Sequence, residues 1–175
     1  MITDINSIET IIRNILIEQS QLEPEFVRNS LSIYSTPLMT DNQSVLNTLQ
    51  QNQLMILFEL RARDDVLNIS EQDEETGVIT MYQGYQVHVI IYGDNCRTLA
   101  NKLIARLRTG RLNDIFRDNL LEFYGASNPE SIQEYINEVM WLRTDFNIDL
   151  SCIMEIEPVS TDYIPNELSE LEFRT

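Results

Sequence analysis

The stretch Thr144-Asp-Phe-Asn-Ile-Asp-Leu-Ser-Cys-Ile-Met-Glu-Ile-Glu157 alternates between apolar and polar side chains. Phe146, Ile148, Leu150, Cys152, Met154 and Ile156 fall on one face of an extended chain. Asp145, Asn147, Asp149, Ser151, Glu155 and Glu157 fall on the other. A period of two with one apolar face marks a strand whose sheet is buried on one side only, the habit of antiparallel sheets. Pro158 closes the run, since it has no N–H for the next ladder bond.

Two more extended runs lie upstream. Leu54, Ile56, Phe58, Leu60 and Ala62 alternate with Met55, Leu57, Glu59, Arg61 and Arg63. Gly77 to Tyr92 is strand-like throughout, with Val78, Ile79, Met81 and Tyr82 followed by Val87, Val89, Ile90 and Ile91. Gly84 within it predicts a bulge or bend. Between the runs stand Asp64, Asp65, Glu71, Asp73, Glu74 and Glu75, with no Lys or Arg from Asp64 to Thr76. The reading is a long β-hairpin, 54–63 with 77–92, joined by a solvated acidic tip. Glu59, Arg61 and Arg63 place charge on one strand face, which therefore meets solvent or a polar subunit boundary.

Helical spacing accounts for the rest of the core. Ile5, Ile8, Ile12, Ile15 and Leu16 follow a candidate N-cap at Thr3 or Asp4 and predict a helix over 4–20. Pro24 and Pro37 interrupt the next stretch, read as an arm or long loop over 21–52, with a short helix around Val45 and Leu49. After Gly93, with Asp94 or Asn95 as cap, the stripe Cys96, Leu99, Ala100, Leu103, Ile104 and Leu107 predicts a helix over 95–109, stopped by Gly110. Leu112, Ile115, Phe116, Leu120 and Phe123 suggest a second helical piece ended by Tyr124-Gly125. Ser127-Asn128-Pro129-Glu130 is a turn or helix start, after which Ile132, Tyr135, Ile136, Val139 and Met140 recur at helical spacing; a loop with a short strand is the alternative. The expected fold is α+β: a mainly antiparallel sheet with a long hairpin, packed by two or three helices. One domain is expected over 1–175, with the α+β core at 53–157 and a C-terminal tail at 158–175 read as an edge strand for this or another subunit.

Composition narrows the function. The chain has 175 residues, 43% of them hydrophobic, enough for a core without disulfides or metal. Twelve Lys and Arg against 28 Asp and Glu leave a formal charge of −16, which repels duplex DNA and argues against sequence-reading DNA binding. His88 is the single histidine and no nucleophile motif accompanies it, so no catalytic residue is assigned. The acidic tip lacks the ligand spacing of a calcium loop, and no metal or cofactor is expected. Cys96 and Cys152 lack C-x-x-C spacing and lie on apolar faces, which predicts reduced, buried thiols. The N-terminus shows no signal-peptide pattern, and no apolar run reaches the roughly 18 residues of a membrane span. The one concentration of positive charge is Arg97, Lys102, Arg106, Arg108 and Arg111, in a stretch free of acids. Its candidate roles are pairing with acidic surfaces of neighbouring copies, a solvated helix flank, or phosphate contact.

The order of pieces resembles the bacteriophage neck or tail terminator family of head–tail joining proteins. The residues that carry the resemblance are Val87-His-Val-Ile-Ile-Tyr-Gly-Asp94, the helix Leu99-Ala-Asn-Lys-Leu-Ile-Ala-Arg-Leu107, the Phe116–Tyr124 segment, and Trp141-Leu-Arg-Thr-Asp-Phe-Asn-Ile-Asp-Leu150. The resemblance spans 54–157. It implies a structural virion protein, made in the host bacterial cytoplasm, that forms a ring, a hexamer by the family's habit. Such a ring joins the tail to the head connector and lets double-stranded DNA pass. Its implied partners are neck, connector and tail-tube proteins. The candidate subunit interface is the acidic tip (Asp64, Asp65, Glu71, Asp73, Glu74, Glu75) against the basic stretch (Arg97, Lys102, Arg106, Arg108, Arg111), since closed rings pair unlike patches. A competing reading is a small acidic DNA mimic that inhibits a host nucleic-acid enzyme; the clustered positive charge argues against it.

Overall fold

The computed structural model describes residues 5–29, 53–63, 70–73, 78–136 and 138–156. In chain order the elements are α1 (Ile5–Ser20), a 3-10 turn (Pro24–Phe26), β1 (Val27–Asn29), β2 (Met55–Ala62), β3 (Ser70–Gln72), β4 (Ile79–Tyr92), α2 (Cys96–Leu107), α3 (Gly110–Asp118), β5 (Leu121–Ala126), β6 (Glu130–Ile136) and β7 (Val139–Ile156). The fold is α+β. The sheet has seven strands in the order β1-β2-β4-β7-β5, with β3 also on β4 and β6 also on β7. All pairs are antiparallel except β1 with β2.

The two long strands organise this sheet. β4 and β7 pair in unbroken register from Ile79↔Ile156 to Tyr92↔Arg143. Each is long enough to serve two partners along its outer edge. β2 takes Tyr85 to Tyr92 of β4 and β3 takes Ile79 to Met81. β6 takes Val139 to Asp145 of β7, and β5 takes Ile148 to Cys152.

One face of the sheet is covered by helices. Ile56, Phe58, Leu60, Val87, Val89, Ile91, Phe146, Ile148, Leu150 and Cys152 are buried there. Ile8, Ile12, Ile15 and Leu16 of α1 meet them from above, with Leu99, Leu103 and Leu107 of α2 and Leu112 and Phe116 of α3. Alternation in the strands and helical spacing in α1 and α2 thus converge on one core. Gly93 makes the β4–α2 corner possible. Its φ is +106°, and a Cβ there would run into the Gln53 carbonyl. Asn95 occupies the N-cap position of α2, without a side-chain capping bond.

Several sequence expectations are corrected. Gly110 does not stop a helix; α2 ends at Leu107 and Gly110 is the first residue of α3. The break lies at Arg108 and Thr109, where Thr109 is extended and occupies the N-cap position of the new helix without a side-chain capping bond, its hydroxyl donating back to the Arg106 carbonyl. The second helical piece stops at Asp118, not at Tyr124-Gly125. Leu120 takes φ +57°, and the Asn119 amide bonds the Ile115 carbonyl at 2.8 Å, ending the helix without glycine. Phe123 reaches the core from β5 and stacks on Phe116 at 5.8 Å. The bulge expected at Gly84 is absent from the β4–β7 ladder, where Gly84 faces Ser151 in register; the register shift falls in β5, between Phe123 and Gly125.

The run from Ile132 to Met140 is a hairpin, β6 into the start of β7, and not a helix. A two-stranded turn brings Ile136 beside Val139, the same i, i+3 neighbours a helix would pair, so the spacing alone does not discriminate. The strand read from Thr144 accordingly starts five residues earlier, at Val139. Part of the stretch read as an arm is also ordered: β1 adds to β2, and Arg13 of α1 clamps it by bonding the Val27 carbonyl at 3.0 Å and the Pro24 carbonyl at 2.6 Å. The predicted N-cap at Thr3 or Asp4, the short helix near Val45, and the tail 158–175 lie outside the described residues.

Candidate subunit interface

The sheet face opposite the helices carries the polar half of every alternating strand. Register sets its rows: Leu57, Ile90 and Asp145; Glu59, His88 and Asn147; Arg61, Gln86 and Asp149. The rows are knitted together by side chains. Arg143 grips Asp145 with two bonds of 2.7 and 2.5 Å and reaches Glu134 at 3.1 Å. Tyr92 donates to the same Glu134 oxygen at 2.7 Å. His88 meets Asn147 through Nδ1 at 2.8 Å and Asp145 through Nε2 at 3.5 Å. Gln86 and Arg63 both hold Asp149, at 3.0 and 3.1 Å, and Arg61 holds Glu59 at 2.5 Å.

The electrostatics follow from these contacts. Asp145, with support from Asn147, raises the His88 pKa against the opposing cost of burial. Burial pushes Asp145 up, but His88 and Arg143 outweigh it and leave the carboxyl below its ordinary range. The Arg61 guanidinium likewise lowers Glu59. Burial, reinforced by Glu134, raises the Tyr92 hydroxyl. The result is a belt of mutually neutralised charge. Beside it, Tyr92 meets Trp141 edge-on at 6.4 Å, and both pack with Met55 in a small apolar cluster.

Neither cysteine lies on this belt. The Cys96 thiol lies 3.2 Å from the Thr144 hydroxyl on the other side of the sheet, and the Cys152 pKa is pushed up to about 11 by burial. Among the described residues, no group of three or more His, Cys, Asp or Glu side chains is placed to hold a metal ion. No described helix is long and apolar enough to cross a membrane.

The candidate interface residues separate in space. Of the acidic tip, Glu71 is exposed in β3 and Asp73 follows it, also exposed; Asp64, Asp65, Glu74 and Glu75 lie outside the described residues. The basic stretch surrounds α2 and does not form one patch. Arg97 reaches Ser131 of β6 at 3.5 Å, Arg106 bonds the Gln19 carbonyl of α1, and Arg108 bonds the Ala126 carbonyl at 3.1 Å. Lys102 and Arg111 are exposed. Part of this positive charge therefore ties α2 to α1 and β5.

Two features escape a sequence reading. One is the network around Arg143, whose partners Tyr92, Glu134 and Asp145 come from three strands; only the alternation of Asp145, Asn147 and Asp149 hints at it. The other is the β6–β7 hairpin, which exposes Ile132, Tyr135, Val139, Met140 and Leu142. A cleft of about 460 Å³ lies at its base, between the start of α2 and β6, with Arg97, Ser131, Ile132 and Leu142 in its walls.

Residues 7–171 match the family model described as phage neck terminator protein. No curated protein matches the chain.

Proposed function

The chain belongs to the phage neck terminator family, a structural component of the virion neck, and from that premise we propose that it forms a ring there, joining the tail to the head connector. The match over nearly the whole chain carries this reading. The ring is a hexamer in which each copy is a single domain with a structural role and no catalytic one. It contacts connector and tail-tube proteins, is made in the host bacterial cytoplasm, and lets double-stranded DNA pass without sequence-specific contact. The charge of −16 supports passage, since an acidic surface repels phosphate and keeps DNA from sticking.

Neighbouring copies meet through unlike patches, as closure requires. We assign the acidic tip, Asp64, Asp65, Glu71, Asp73, Glu74 and Glu75, to one patch. The basic side chains spread around α2 and the α2–α3 turn, Arg97, Lys102, Arg106, Arg108 and Arg111, form the other side of the contact. Each exposed pair contributes about 0–1 kcal/mol, so the effect comes from repetition around the ring and weakens with salt. A reconstruction of the neck in intact virions tests the proposal. The expected result is a closed ring of this chain on the head–tail axis. A single copy, or a position off that axis, overturns it.

A further inference from the structure

The β6–β7 hairpin extends beyond the body of the sheet. The β4–β7 ladder ends at Tyr92↔Arg143, with one further bond from the Gly93 N–H to the Leu142 carbonyl at 3.1 Å, so Val139 to Trp141 pair with β6 alone. On this two-stranded arm Tyr135 is 73% exposed, Met140 44%, Leu142 41%, Ile132 40% and Val139 36%. Tyr135 and Met140 pair on one face and Val139 lies on the other, so apolar surface meets solvent on both sides. The arm is acidic as well: it holds Glu130, Glu134 and Glu138 with no Lys or Arg up to Leu142, and since Arg143 takes up Glu134, Glu130 and Glu138 carry its charge.

A surface of opposite character lies elsewhere on the same molecule. A groove of about 330 Å³ runs between the end of α1 and the α2–α3 turn. Its walls are mostly polar, with Gln19, Gln21 and Thr109 beside Arg106 and Arg111 and Glu18 the one acid; Ile115 and the buried Leu112 are the apolar members. An acidic arm and a groove that carries two arginines against one acid are complementary in charge, and Ile115 offers the arm's apolar side chains one contact.

The arm does not reach the groove of its own chain. Cys96, at the start of α2, touches Thr144 near the arm's base. Arg108, at the far end, reaches Ala126, which pairs with Ile148 further along β7. The helix therefore runs away from the arm. Its 12 residues span about 18 Å, and the arm from Ser131 to Ile136 adds roughly 17 Å in the other direction.

We propose that the β6–β7 arm of one copy docks into the α1–α2–α3 groove of the next, placing Glu138 beside Arg111 and Tyr135 and Met140 against Ile115. The contact is head-to-tail, and an open chain of copies keeps one unused arm at one end and one unused groove at the other until the ring closes. This inference rests on the ring reading above and assigns Arg106 and Arg111 to the neighbouring arm instead of the acidic tip, which keeps Arg97, Lys102 and Arg108 as its candidate partners.

The test places cysteines at Glu138 and Arg111 in the full chain and treats it with a short bis-maleimide linker, both as purified protein and within virions. Cys96 and Cys152 are buried, which keeps the background low. The Glu138→Cys, Arg111→Cys double variant is expected to give a covalent ladder of dimer, trimer and higher forms up to the ring size. Either single variant should stay monomeric, and adding Tyr135→Ser and Met140→Ser should abolish the ladder. A virion neck that images as a ring while the double variant stays uncrosslinked overturns the arm-in-groove contact and leaves the ring reading intact. Efficient dimers from Glu138→Cys alone, marking an arm-to-arm contact, also overturn it. Neither ring nor ladder overturns both.

Discussion

Leu103 and Leu142 are the same residue type in opposite situations, and Leu→Ala at each isolates what burial is worth. Leu103 is fully buried where α2 meets the sheet, whereas Leu142 on the β6–β7 arm is 41% exposed. Removing three carbons from Leu103 forfeits about 2.4 kcal/mol of transfer free energy, at about 0.8 kcal/mol per methylene. The unfilled space adds about 24 cal/mol per Å³, so a residual cavity of about 60 Å³ costs about 1.4 kcal/mol more. Leu103→Ala is therefore expected to destabilise the protein by about 4 kcal/mol, which lowers Tm by roughly 8–16 °C for a chain of this size. Leu142→Ala should stay within about 0.5 kcal/mol, because its side chain lacks an enclosing wall. Leu103→Asp buries an unpaired carboxylate and should abolish folding. Urea titration followed by circular dichroism measures all three. Equal midpoints for the two alanine variants, or a normally melting Leu103→Asp protein, would refute the placement of α2 on the sheet.

The sole histidine provides a direct readout of the polar belt. Asp145 raises the His88 pKa, so its contribution to stability is fully present below the ordinary value of 6.5 and is lost as pH rises through the folded value; proton NMR of the single imidazole should show a pKa above 6.5 that falls in Asp145→Asn, and a value at or below 6.5 in the parent would contradict the His88–Asp145 contact. Arg143→Ala strips charged partners from Asp145 and Glu134 and should cost about 1–3 kcal/mol in urea titration; an unchanged midpoint would show that solvent already replaces the guanidinium. Cys96 and Cys152 should react slowly with Ellman's reagent in the native protein and fully after denaturation, whereas rapid native labelling of both would place them on the surface.

What the chain declares locally is the set of elements with one buried face. The alternation from Thr144 onward, the hairpin of 54–63 with 77–92, and the stripes of α1 and α2 are each a contrast between core and solvent repeated at a fixed period. That contrast is enough to reach an α+β fold; the resemblance to neck terminators rests instead on the order of the pieces and on short motifs such as Val87 to Asp94 and Trp141 to Leu150. Tertiary structure decided the remainder, for three separate reasons. β6 shows no such contrast, because its arm is exposed on both faces and its cross-strand neighbours imitate helical ones. Phe123 belongs to a strand instead of a helix because Leu120 adopts a positive φ that no pattern announces. The polar belt depends on register across the sheet: His88 meets Asn147 over 59 residues of chain and Gln86 meets Asp149 over 63. Periodicity specifies which side of a strand is wet, but only the pairing of β4 with β7 specifies which wet side chains stand next to one another.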